Sequence, residues 1–231
     1  MRRIADKGKF LTSASYERLD HFAEQVDRIR CNGSTSSTVV LQIARETPIE
    51  TRKSVHYRPG AKPGDPVIGS IAATWPVRPV GNRRRRKFQS FIVDTASGAA
   101  ATRLSIRTPG SETQEQTELA SWHVDIRASN SPGCYHHFQV LGESDELPFP
   151  DCLGIPRFPD PFVSPMALLE FLLCELFPIE WTKHLSDGPH SSAEWRQTQK
   201  DSWIERLSME LQTVRDCTSL SPWLSLRKWP G

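Results

Sequence analysis

The sequence predicts an α+β fold: an N-terminal helix, a mainly antiparallel sheet of about six or seven strands, and two C-terminal helices packed on one face. Three patterns predict it. Apolar residues recur at helical spacing near the N-terminus. Strand-like segments with short connections and no intervening helix fill residues 37–141. Two helical segments then follow within 165–217. A chain of 231 residues suits a single domain, here 1–231. Its hydrophobic fraction of 37% allows a core but leaves sizeable polar loops, and seven tryptophans and ten phenylalanines argue against disorder.

The first helix spans 12–31. Tyr16, Leu19, Phe22, Ala23, Val26 and Ile29 form its apolar stripe, Thr12-Ser13 opens it and Asn32-Gly33 stops it. Such a stripe packs on a sheet; docking on a partner is the alternative. Thr38–Ala44 is nearly continuous in apolar residues, as a central strand requires. A weaker strand covers Thr51–Tyr57, a Pro/Gly loop covers Pro59–Pro66, and Val67–Trp75 is a further strand with Gly69 at a bulge. Phe88–Asp94 and Thr102–Arg107 follow as strands. A polar, acidic loop at Thr108–Ala120 leads to a hairpin over 122–140.

After the hairpin, 147–165 carries six prolines interspersed with Leu153, Ile155, Phe158 and Phe162. It reads as an extended strap over the sheet, since proline fixes φ, or as a polyproline-like ligand for a protein partner. Ser164-Pro165 is a helix entrance, and Met166–Phe177 is apolar on nearly every side, which predicts the most buried helix. Its acids Glu170 and Glu175 lie five positions apart, roughly 140° around the axis, so they do not make a metal pair on one face. Phe177-Pro178 ends it. Ser191–Glu194 is a capping box before a long helix with the stripe Trp203, Ile204, Leu207, Leu211 and Val214, and Trp195 two turns earlier. The aromatic tail 218–231 either tucks back or docks on a partner.

Composition excludes several classes. No apolar run approaches the roughly 20 residues a bilayer requires, so no membrane association is expected. The N-terminus lacks the apolar segment of a secretory signal. Five widely spaced cysteines without a Cys-x-x-Cys pair suit a reduced, cytoplasmic setting. Cys134, His136, His137 and Cys152 match no structural zinc spacing, so no metal and no cofactor are expected. Phosphate-loop, dinucleotide-binding and zincin motifs are missing from the sequence.

Two features carry chemistry. A net charge of +2 does not by itself imply nucleic acid, but six of the eleven residues from Val77 to Lys87 are basic: Arg78, Arg83, Arg84, Arg85, Arg86 and Lys87. Between two strands they form either a solvated tip or an anion-binding loop, because clustered guanidiniums attract phosphate and release counterions. A nuclear-localisation signal fits the same residues.

The second feature is the hairpin. Alternation places Trp122, Val124, Ile126, Phe138 and Val140 on one face, and His123, Asp125, Tyr135, His137 and Gln139 on the other, facing water. A slip of one residue would bring His136 into the set instead. His123, Asp125, His137 and Gln139 within cross-strand reach suit acid–base cleavage of RNA, or a divalent metal; an ordinary wet strand face explains them equally simply. His56, His184 and His190 are candidates to complete such a site. The resulting expectation is a nucleic-acid-associated protein, RNase-like in its enzymatic form, with RNA or DNA as partner. The alternative is a non-enzymatic interaction subunit of a larger cytosolic assembly, holding a protein through the Pro-rich strap or the aromatic tail.

Overall fold

The computed structural model describes residues 5–6, 8–32, 37–57, 64–80, 90–94, 96–110, 116–126, 136–141, 158–159, 164–186 and 191–216. They form helix α1 (Ser13–Asn32), strands β1 (Val39–Ile43), β2 (Ile49–Glu50), β3 (Ile68–Val80), β4 (Ser90–Val93), β5 (Ala100–Arg107), β6 (Glu118–Ile126), β7 (His136–Leu141) and β8 (Phe158–Pro159), then helices α2 (Pro165–Leu176), α3 (Pro178–Ser186) and α4 (Ser191–Arg215). The α+β class and its element order are as the sequence predicts. The eight strands make one antiparallel sheet in the order β1-β3-β5-β6-β7-β8, with β2 and β4 also paired to β3.

Four elements differ in detail from the expectation. The apolar run at Thr38–Ala44 forms β1, which is an edge strand and not a central one because it pairs with β3 alone. Thr51 and Ser54 make isolated bridges, to Leu11 and Val67, while the strand before them is the two-residue β2. β3 runs on through Pro76 and Pro79. Pro76 is tolerated because β5 pairs only as far as Thr74 and β4 begins at Val77, so the missing N–H falls where one neighbour gives way to the next. Proline 178 stops α2 but also begins α3, since a proline at the first helical position needs no N–H partner.

The pleat sorts β3, β5 and β6 into two faces. Ile71, Ala73, Trp75 and Val77 align with Leu104, Thr102 and Ala100 of β5 and with Val124 and Ile126 of β6, and all are buried. Leu19, Phe22 and Ile29 of α1 and Leu168, Leu169, Leu172, Leu173 and Leu176 of α2 complete this core. The Trp75 indole donates to Thr102 Oγ1 at 2.9 Å, so the one polar atom of that ring is satisfied inside. α2 starts as predicted, with Ala167 N donating to Ser164 Oγ at 3.2 Å.

Edge strand β1 is closed by a side chain of α1. Gln25 Nε2 donates to Gln42 O at 3.1 Å and Gln25 Oε1 accepts from Gln42 N at 2.9 Å. One carboxamide therefore fills both backbone valences of Gln42 that a further strand would use. Helix α4 joins the body near its N-terminus, where Trp195 Nε1 donates to Glu170 Oε2 at 2.7 Å.

Candidate functional site

β6 and β7 pair as the alternation predicts. Trp122 lies opposite Val140 and Val124 opposite Phe138; His123 lies opposite Gln139 and Asp125 opposite His137. His136 pairs with Ile126 in register. The register thus gathers His123, Asp125, His137 and Gln139 on one face. Asp125 is the hub: it stands two residues from His123 along β6 and directly across from His137. His137 Nε2 is 4.0 Å from Asp125 Oδ2.

The surroundings differ from the water-facing arrangement expected. His137 is 0% exposed, Asp125 5% and Gln139 9%, and neighbouring Ser121 and Ser105 are buried as well. His123 is half-buried, and its Nε2 is enclosed without a hydrogen-bond partner. The same polar face continues across β5 and β3 as a series of fixed pairs. Arg103 Nη2 contacts both Glu118 oxygens at 2.7 and 2.8 Å, Arg107 is paired with Glu50, and Ser70 and Ser105 share a 2.7 Å hydrogen bond. Burying polar groups without partners is costly, and these bonds offset that cost for the arginine, glutamate and serine side chains of the face.

Burial lowers the His123 pKa below its ordinary value of about 6.5; Asp125 pulls the other way, Arg103 and Arg45 add to the lowering, and Glu118 opposes it. The sign for stability follows. The unfolded ring takes its proton as pH falls through about 6.5 while the folded ring resists, so the stabilisation is present above that pH and lost below it. Unfolding free energy measured from pH 7 to pH 5 should therefore drop more for the wild type than for His123→Gln. Parallel curves would show that His123 is not the group responsible.

Among the described residues no three His, Cys, Asp or Glu side chains gather as metal ligands. His56 lines a pocket with Arg52, Phe177 and Ile179 and does not join the hairpin set. His184 lies in α3, and His190 is outside the described residues. The Cys174 thiol is pushed up to about 12, first by burial and then by Glu170 and Glu175, which leaves no thiolate for nucleophilic chemistry. Arg78 is exposed on β3, whereas Arg83, Arg84, Arg85, Arg86 and Lys87 lie outside the described residues; the strand ends flanking that run, Val80 and Ser90, pair with each other. Most of the Pro-rich strap and all of the aromatic tail are likewise outside them. Among the described residues no helix is long and apolar enough to cross a membrane.

The most conspicuous surface is on α4. Trp203 and Val214 are 39% exposed, Leu211 50%, and Ile204 and Leu207 52% each. The sequence marks this stripe by its spacing but carries no sign that it would remain on the surface. No known family model, curated protein or solved structure matches the chain, so its function has to be read from these surfaces.

Proposed function

We propose that the protein is a non-enzymatic interaction subunit that holds a protein partner along α4. The observation that carries this reading is the exposed row Ile204, Leu207, Leu211 and Val214 on a helix of 25 residues. Clustered exposed apolar side chains are costly to keep in water, and on a folded protein they mark a contact surface. The competing reading, an RNase-like site at His123, Asp125 and His137, needs imidazoles that a phosphodiester can reach. The 0% exposure of His137 weighs against it.

The test compares tagged wild type with Leu207→Arg/Leu211→Arg in co-purification from cells, alongside their thermal stabilities. Both positions are exposed, so the double variant should change stability by no more than about 1 kcal/mol while losing the captured protein. Identical capture by the two proteins would overturn the reading. So would RNA cleavage by the wild type that His123→Ala/His137→Ala abolishes.

A further inference from the structure

We infer that the partner seated on α4 is a second copy of this chain, with the two helices parallel. This rests on the reading of α4 as an interaction surface and adds the identity and orientation of the occupant. Ile204, Leu207, Leu211 and Val214 follow one another at intervals of three, four and three, the spacing of positions a, d, a and d of a heptad. All four are exposed. Two such rows on parallel helices mesh with each other, because each position meets its own equivalent across the two-fold axis.

The flanking charges choose between occupants. With Ile204 at position a, Glu210 is a g residue and Arg215 is the e residue of the next heptad. In a parallel pair these meet across the seam, Glu210 of each helix against Arg215 of the other, on both sides of the axis. Trp203, also at g, comes opposite the small Ser208. Within its own helix Glu210 accepts from Arg206 Nε at 2.9 Å and lies 2.8 Å from Arg206 Nη2, both through Oε1, so Oε2 can serve the second helix. The antiparallel arrangement that overlaps all four apolar positions brings Arg215 to Asp201 but also sets Glu210 against Glu210, a repulsion that the parallel pair lacks. The helix carries four acidic and four basic residues, so it offers no net attraction to an anionic membrane or to nucleic acid. Self-complementarity on both flanks is what a second copy requires and an unrelated partner does not.

The seam is about 15 Å long at 1.5 Å per residue, which predicts a weak, concentration-dependent dimer. Sedimentation equilibrium on the purified full chain, from low to high micromolar concentration, tests this. The wild type should pass from monomer to dimer across that range. Arg215→Glu should weaken dimerisation about tenfold by placing like charges together. The charge exchange Glu210→Arg/Arg215→Glu should restore it. Monomer at every concentration overturns the inference, as does a dimer that the exchange fails to restore. Circular dichroism on each variant confirms that helix content is unchanged. A monomeric purified chain whose capture of another protein still depends on Leu207 and Leu211 would sink the second copy while leaving the interaction reading in place.

Discussion

Phe10→Ala is expected to lower the unfolding free energy by about 3–5 kcal/mol, the cost of emptying a filled aromatic site. Phe10 is 1% exposed although it precedes the first helix of the core. Its ring lies 5.3 Å from that of Phe177 at a tilt of 46°, and 5.4 Å from that of Trp181 edge to face. Arg52 stacks over the other member of the cluster, with its guanidinium carbon 4.8 Å from the Phe177 centroid, and Arg52 N donates to Phe10 O at 2.9 Å. One side chain thus ties the N-terminal segment to the α2–α3 corner and to the segment after β2. Urea denaturation of wild type, Phe10→Ala and Phe10→Leu measures the effect. Leucine should recover most of the loss by refilling the volume. A loss under about 1 kcal/mol for alanine would show that the segment does not contribute to the folded core.

Gly69→Val is the second substitution expected to be severe. A Cβ at Gly69 would stand 2.6 Å from Leu176 Cδ1 and 2.8 Å from Leu172 Cδ1, closer than carbon atoms approach without displacement. Both leucines are almost wholly buried, so neither has solvent to turn into. The glycine lets α2 lie close on β3, and a branched side chain would push helix and sheet apart. Overpacking of this kind costs about 1–3 kcal/mol, with alanine at the lower end and valine at or above the upper. A double-mutant cycle separates crowding from the gain in strand propensity that replacing glycine brings. In Gly69→Ala/Leu172→Val the removed methylene should accommodate the added methyl, giving less destabilisation than the two single variants summed. Strict additivity would rule out the crowding.

Much of this architecture is legible in the residues because it depends on periodicity. The stripe from Tyr16 to Ile29, the all-round apolar α2 and the alternation of both hairpin arms each lead to the observed element. The shared side of Asp125 and His137 follows from it, although which residue stands opposite which is set by the register and not by the alternation. What alternation cannot carry is which face meets water. It states that His123, Asp125 and His137 share a side, and a polar side is read as wet; burial is decided by contacts distant in sequence, and the Arg107–Glu50 pair on the same face joins residues 57 positions apart. The capping of Gln42 by Gln25 is hidden for the same reason, since a glutamine on a helix surface looks like any solvated residue. Trp195 and Glu170 behave alike: one is read as part of a stripe and the other as an isolated acid, and only packing α4 beside α2 joins them.

The Gln25 carboxamide has a consequence for how molecules of this protein can meet. By imitating the neighbour that β1 lacks, it occupies the rung at Gln42 that a foreign chain would otherwise pair with, beside the exposed Val39 and Val40. Growth by adding strand to strand is hindered at that point of the edge, because an incoming strand would first have to displace the carboxamide.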